Sequence, residues 1–359
     1  MIKSTYILIV ISLLVIITSQ EYGKQRQRFF GVYKDPLLAT LFNGNRCEKC
    51  QLSDYDLVNT DLVEADFRET SLDHADFLLA DLRQANFYRA TLNHARLAYA
   101  SLSLANLQEA LAFQANFDYA ELTKANCSHC DASFASFLGA IAISSNFSNA
   151  ILVGANMQQA NFRLSNFSGA DLSEAILTYG HVSGSNFSKA NLLYAKMSKS
   201  TIRAIDGRNA NFSHVNFRRS DLHRANFTQA TMRHAFFERA RATTVNFKNA
   251  DLTYASFIEC DLRGAIFTGA KLDFADFTDA ILIGATDFNP DNPNIILCRT
   301  VMPDGSTYTR KCRTVEPLPI SIQKTLPVTP LISPITPEKT TNRNPSNAQL
   351  IIQKTTIGA

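Results

Sequence analysis

The chain has 359 residues, 46% of them apolar, and its 35 basic side chains nearly balance 32 acidic ones. That length can bury a substantial core, and a formal net charge of +3 argues against a histone-like cationic binder and against a generally acidic mimic of DNA. No proline occurs between Pro36 and Pro290, where an ordinary globular stretch would contain roughly a dozen. The middle of the chain is therefore one continuous regular structure or something unusual.

Residues 1–20 are predicted to be a signal peptide or a membrane anchor. Lys3 precedes an apolar run of twelve residues from Tyr6 to Ile17. This length is typical of the hydrophobic region of a signal peptide and falls short of the roughly 20 residues that span a bilayer comfortably. No Ala-x-Ala cleavage site follows, and the downstream bases are Lys24, Arg26 and Arg28. An uncleaved anchor with the chain on the cytoplasmic side therefore stays an alternative.

Residues 21–46 are predicted to be a linker and a short helix. Asp35 is a suitable N-cap and Pro36 suits the first helical turn, while Gly44 can end the helix. The helix directly precedes the regular part of the chain, so we expect it to cap that region.

A five-residue repeat begins at Leu52 and continues to Leu282 without an insertion, which makes 47 consecutive units. Leu or Phe occupies 36 of the 47 central positions, and Ala occupies 32 of the 47 positions two residues before a centre. The segment Ala75-Asp76-Phe77 shows the pattern.

The repeat spacing excludes a helix and favours short extended steps. On an α-helix, centres five residues apart would advance by about 140° and spread over every face. In extended backbone the small and the large residue, two apart, point to the same side. The next small residue follows after three positions, so the chain must bend once in every unit. Repeated bends of one hand wind the chain into a solenoid.

This frame resembles the pentapeptide repeat proteins of the Ala-(Asp/Asn)-Leu-x-x kind over about two thirds of the chain. The resemblance implies an all-β fold, a right-handed quadrilateral β-helix with four units per coil and with Leu, Phe and Ala pointing inward. Residues 47–288 would then form about 12 coils. Proline is absent because nearly every backbone amide would bond to the next coil.

Several units depart from the pattern. Small residues occupy the centres at Ala112, Cys127, Ala132, Ala142 and Ala242. The strongest departure is the stretch 203–209, where Ile205 replaces the small residue and Gly207 occupies the centre. We expect a local bulge there rather than a functional hinge.

The C-terminal part is predicted to be a cap followed by a tail. In residues 289–312 an apolar run leads into the turn Pro303-Asp304-Gly305, which indicates a hairpin that closes the coil. Residues 313–359 are rich in Pro, Thr and Ile and low in charge, and they are predicted to be a disordered tail.

The seven cysteines include two Cys-x-x-Cys pairs, Cys47 with Cys50 and Cys127 with Cys130. The pairs are 80 residues apart, which is four coils or about 19 Å, so one zinc ion cannot join them. Their inward positions favour a role as small buried apolar residues, as for Cys260.

Cys298 and Cys312 flank the predicted hairpin and could form a disulfide there. The motifs Cys47-x-x-Cys50-x-Leu52 and Cys298-x-x-x-Met302-Pro303-Asp304-Gly305 resemble cap sequences of exported members of the family. Together with the apolar N-terminus, this resemblance favours an oxidising compartment. The odd number of cysteines leaves at least one free thiol.

A 20-residue coil would stack outward residues in vertical rows. His74 and His94 would stack above Asp54, and His214 above it would stack with His234. Metal binding by these residues is disfavoured, because seven histidines on such a lattice pair by chance. We predict no metal and no cofactor.

The charges are segregated along the repeat. Residues 52–131 carry a net charge of −8, residues 163–248 carry +8, and residues 251–284 carry −4. The candidate interaction surface, called the basic patch below, consists of Lys199, Arg203, Arg219, Arg224, Arg239 and Arg241. It could hold an acidic protein or an anionic membrane, although a solvated face is the simpler interpretation. No nucleic acid is expected as a partner, because the patch lacks surrounding exposed aromatic residues.

No catalytic motif stands outside the repeat, so no catalytic residue is assigned. The leading hypothesis is a non-enzymatic rod, exported or tethered to a membrane, that acts as a scaffold for an unknown protein partner. The resemblance implies one alternative, an inhibitor of type II topoisomerases that mimics DNA. An enzyme with its site in the caps or tail is a second alternative.

Overall fold

The computed structural model describes residues Leu38, Leu41 and 44–312. The predicted leader 1–20, most of the segment 21–46 and the predicted tail 313–359 lie outside the described residues. Leu38, Leu41 and Gly44 are helical, and the carbonyl of the buried Leu41 accepts a hydrogen bond from the amide of Asn45 (2.9 Å). Within the described part of the chain, no helix is long and apolar enough to cross a membrane.

The repeat winds into coils of 20 residues. Parallel bridges join each outward residue before a centre to the residue 20 positions later, from the pair Arg46 and Asp66 to the pair Ile281 and Val301. Each coil contains four turns, one for each pentapeptide. The chain is therefore a β-helix with four sides, as the repeat predicts.

The corners repeat one local geometry. The central residue of a unit accepts a hydrogen bond from the amide three positions later, as between Leu72 and Ala75 (3.0 Å). Every fifth residue from Lys49 to Gly284 has a positive φ. A turn of this kind needs a left-handed residue in its third position, as in a type II turn. The outward side chain at this position avoids the core, so the sequence tolerates many residue types there.

The core contains the central residues and the small residues before them. Both sets are buried throughout the coil, which confirms the predicted inward positions. The phenylalanines stack from coil to coil, with ring centroids 5.3 Å apart between Phe147 and Phe167 and 4.9 Å apart between Phe167 and Phe187. The space inside the coil is filled by rings and small side chains packed at van der Waals contact.

The Asn or Asp before each centre has a structural role on the outside of the coil. The side-chain oxygen of Asn126 accepts a hydrogen bond from the amide of Ser128 (3.2 Å) and so supports the turn. Its side-chain amide donates to Asn106 (3.3 Å), and Asn146 donates to Asn126 in turn (3.1 Å). Such rows account for the abundance of Asn and Asp without any catalytic role.

The bulge predicted for residues 203–209 is wrong. Asp206 is bridged in register both to Asn186 and to Asn226, and the amide of Gly207 donates to the carbonyl of Asn226 (2.7 Å). The coil stays regular because rings of the neighbouring residues Phe212 and Phe227 occupy the space beside Gly207.

An antiparallel hairpin ends the described structure. Strand β1 spans Leu297–Val301 and β2 spans Thr307–Arg310, and Val301 pairs with Thr307. The register is irregular between Leu297 and Thr300. Val301 also bridges to Ile281 of the coil below, so the hairpin continues the stack.

The cysteines form three disulfides in the described part of the chain, Cys47–Cys50, Cys127–Cys130 and Cys298–Cys312. The prediction that Cys127 and Cys130 are simple buried thiols is therefore wrong, although both are buried. A central residue and the residue three positions later both point inward across one corner, with Cα atoms 5.3 Å apart, which is within the range of a disulfide. Cys260 is free, and burial raises the pKa of its thiol well above the usual value.

Candidate functional site

The basic patch lies on two neighbouring corners of the coil and the side between them. Lys199, Arg219 and Arg239 occupy the same corner in three successive coils, and we call this row the Lys199 ladder. Each has a positive φ of 58° or 59° and is exposed, so the three cations project from one edge. Arg203 and Arg224 lie at the next corner, and Arg241 lies on the side between.

Half of the patch is neutralised by ion pairs. Asp221 contacts Arg203 (2.6 Å) and Arg241 (3.7 Å). Arg239 donates two hydrogen bonds to Glu259 (2.8 and 2.9 Å), which raise the pKa of Arg239 and lower the pKa of Glu259. Pairs this exposed add little to stability, but they reduce the charge that a partner would meet.

Two arginines of the patch have no counter-ion. Within the described residues, neither Arg219 nor Arg224 forms an ion pair. Arg219 lies between Lys199 and Arg239 on the ladder, while the residues one coil away from Arg224 are Ala204 and Thr244, which are uncharged. The positive charge of the patch is therefore concentrated at Arg219.

Lys199 contacts an aromatic ring that the sequence analysis missed. Its Nζ donates to the hydroxyl of Tyr179 (2.7 Å) and lies 5.0 Å from the centroid of that ring. Tyr179 is exposed and occupies the same corner one coil below. The statement that the patch lacks exposed aromatic neighbours is therefore wrong, because a spacing of 20 residues brings Tyr179 next to Lys199. This spacing was the signal that could have found it.

A cleft of about 450 Å³ lies beside the Lys199 ladder. Its lining residues are Ser198, Lys199, Asn216, Arg218, Arg219, Glu238, Arg239, Ile258 and Glu259. Arg218 donates to Glu238 Oε1 (2.9 Å) and packs over the ring of Phe236, 4.2 Å from its centroid. Glu238 Oε2 is buried and has no hydrogen-bond partner within the described structure. The cleft therefore presents an unpaired cation and an unpaired acceptor.

A second corner carries stacked aromatic rings, and we call it the aromatic corner. Its members are Tyr194, His214, His234, Tyr254 and Phe274. Successive ring centroids are 4.7 to 4.8 Å apart. Burial, and then the neighbouring His234, lower the pKa of His214. The predicted stacking of His74 on His94 is also present, with centroids 4.8 Å apart.

The histidines do not gather with other ligands. Among the described residues, no group of three or more His, Cys, Asp or Glu side chains is arranged to hold a metal ion. Stacking places the imidazoles in parallel planes along the rod rather than around a common point.

Solved structures similar to this chain are pentapeptide repeat proteins. QnrB1, a plasmid-mediated fluoroquinolone resistance protein, is 20% identical, with 50% of this chain and 88% of that chain covered and a TM-score of 0.43. HetL, involved in heterocyst differentiation regulation in the cyanobacterium Nostoc sp. strain PCC 7120, is 24% identical, with coverage of 76% and 97% and a TM-score of 0.23. A thylakoid-lumen protein of Arabidopsis thaliana is 26% identical, with coverage of 41% and 77% and a TM-score of 0.16.

No curated protein sequence matches the chain. The family model for pentapeptide repeats does match, at residues 50–87, 85–110, 143–178, 165–203, 208–241 and 246–284. These ranges cover more than half of the chain and share the frame that forms the coils. The chain therefore belongs to the pentapeptide repeat family and folds as a right-handed quadrilateral β-helix.

Proposed function

We propose that this chain is a non-enzymatic rod that binds an acidic protein through its basic patch. The observation that carries the proposal is the concentration of unpaired positive charge at Arg219 and Lys199, beside a cleft. Complementary potentials favour encounter with an acidic surface. The described part of the rod offers no arrangement of nucleophile and base that would support catalysis.

We propose further that the chain is exported or held at a membrane. Three disulfides within the described residues support an oxidising compartment, because reducing compartments keep such thiols reduced. The apolar run from Tyr6 to Ile17 supplies a route to that compartment, either as a cleaved signal or as an anchor.

Alkylation of thiols tests the location. The protein is denatured without reductant after isolation from its native compartment, and the accessible thiols are counted. We expect one labelled cysteine, Cys260. Labelling of all seven cysteines would place the protein in a reducing compartment and contradict export.

Binding of polyglutamate to the full chain tests the basic patch. We expect the triple variant Lys199→Gln, Arg219→Gln, Arg239→Gln to weaken binding at least tenfold. The matched control also removes three positive charges, but in the acidic segment, by Arg68→Gln, Arg83→Gln and Arg96→Gln. It is expected to change the affinity less than threefold. Equal losses in the two variants, or no binding by the unaltered chain, would overturn the proposal.

A further inference from the structure

The cleft beside the Lys199 ladder is bounded by two internal ion pairs. Arg218 with Glu238 forms one wall, and Arg239 with Glu259 forms another. Arg219 lines the same cleft and has no anionic partner within the described residues. Like charges in neighbouring rows of a sheet destabilise it, and Arg219 has Lys199 one coil below and Arg239 one coil above. An anion in the cleft would relieve this repulsion.

A second observation specifies what else the ligand must carry. Glu238 Oε1 accepts the hydrogen bond from Arg218, whereas Oε2 is buried without a donor. Buried acceptors of this kind are nearly always satisfied in folded proteins. The missing donor is supplied if the ligand combines an anionic group with an N–H.

The cleft favours a carboxylate of a peptide over a free phosphate. An arginine fork binds either anion in two parallel hydrogen bonds. A phosphate dianion would face the carboxylates of Glu238 and Glu259 and could not donate to Oε2 when fully ionised. A glutamate or aspartate in an extended peptide carries one charge, and a neighbouring backbone amide can donate. Ile258 in the lining gives the peptide an apolar contact, and the volume is within the usual range for ligand sites.

We propose that Arg219 anchors a binding cleft for one carboxylate side chain of an extended acidic peptide segment, and that Glu238 Oε2 accepts a hydrogen bond from the backbone of that peptide. This inference rests on the proposed function, because it identifies the part of the acidic partner that the basic patch holds. Lys199 contributes to the charge and Ile258 to the packing.

The experiment is a calorimetric titration of the full chain with a capped hexapeptide of alternating Glu and Gly. We expect Arg219→Gln to weaken binding at least tenfold. Arg224→Gln is the matched control, because Arg224 is also exposed and unpaired but lies outside the cleft. It is expected to weaken binding less than threefold. Equal losses would overturn the cleft but leave the broader patch intact, as would retained polyglutamate binding without any binding of the hexapeptide.

The variant Glu238→Gln separates the cleft from general electrostatic attraction. Because Arg218 requires the side-chain oxygen, the amide nitrogen of Gln would replace Oε2 and could not accept from the peptide. We expect weaker binding, although the cleft becomes more positive. Tighter binding would contradict the role of Glu238. A peptide with Gln in place of Glu is expected not to bind, and inorganic phosphate that competes as strongly as the hexapeptide would overturn the assignment to a carboxylate.

Discussion

Gly207 shows how neighbouring residues share the volume of the core. It occupies a central position that Leu or Phe fills in most units. A Cβ atom at Gly207 would lie 2.8 Å from Cδ1 of Phe227 and 2.9 Å from Cε2 of Phe212. The two rings therefore occupy space that a larger side chain at Gly207 would need. Reading each pentapeptide by itself misses this compensation.

We predict that Gly207→Leu, the change toward the common residue of the repeat, destabilises the rod. Overpacking should lower the free energy of unfolding by about 1–3 kcal/mol, because two buried phenylalanines must move. Urea denaturation followed by circular dichroism measures the change. Met197→Leu, a volume-conserving swap at another buried centre, is the control and should cost less than about 1.5 kcal/mol. A higher denaturation midpoint for Gly207→Leu would contradict the prediction.

At the scale of the element, one corner position repeated every 20 residues becomes a continuous row. The aromatic corner places His214 between Tyr194 and His234, with the ring planes nearly parallel. Desolvation, and then the charge of His234, make protonation of His214 less favourable in the folded rod than in the unfolded chain. A property of the row thus arises from residues that are distant in sequence.

The stability of the rod is expected to fall between pH 7 and pH 5 through His214. Its pKa is lower in the folded state, so its contribution is complete above the unfolded value of about 6.5 and is lost as pH falls through the folded pKa. His214→Tyr should flatten this part of the profile in thermal melts. The control, His129→Tyr at a corner where the contact is Asn149, should leave the His214 part of the profile in place. An unchanged profile for His214→Tyr would refute the assignment.

The corner geometry also predicts where new disulfides form. Ala132 and Ala135 are buried, and the amide of Ala135 donates to the carbonyl of Ala132 (3.1 Å), as Cys130 does to Cys127 (3.3 Å). The pair Ala132→Cys with Ala135→Cys should therefore oxidise, adding no free thiol in a denatured, unreduced sample. The control pair Ala135→Cys with Leu138→Cys has the same separation but includes the corner residue Leu138, which is less buried. It should add two free thiols, and the reverse result would contradict the geometry.

At the scale of the whole β-helix, charge changes sign along the rod. The acidic stretch 52–131 and the basic stretch 163–248 have net charges of equal size, and residues 132–162 contain no Asp, Glu, Lys or Arg. Duplex DNA is negatively charged along its whole length. The rod therefore differs from DNA in its charge distribution, even though its total charge is close to neutral.

We predict that the purified chain does not inhibit DNA supercoiling by gyrase at stoichiometric concentration. The basic segment would repel a surface that is built to bind DNA phosphates. A gel assay of supercoiled plasmid measures this, with an acidic pentapeptide repeat inhibitor as the positive control. Inhibition by this chain would favour the alternative function as a topoisomerase inhibitor over the proposed acidic partner.

The coil and its inward residues could be predicted from the sequence because they depend on local spacing. A small residue and a large one two positions apart point to the same side, and the following gap of three forces a corner. These rules act within one or two pentapeptides, so the run from Leu52 to Leu282 specifies the fold.

Tertiary structure alone decided which of the exposed and inward side chains have partners. Asp221 neutralises Arg203 from 18 residues away, and Tyr179 contacts Lys199 from 20 residues away. The same holds for the filled space at Gly207, whereas the disulfide between Cys127 and Cys130 depends on how one corner turns. A periodic sequence states which side a residue faces. Only the closed coil brings together residues one turn apart, and these contacts leave Arg219 as the unpaired cation beside the cleft.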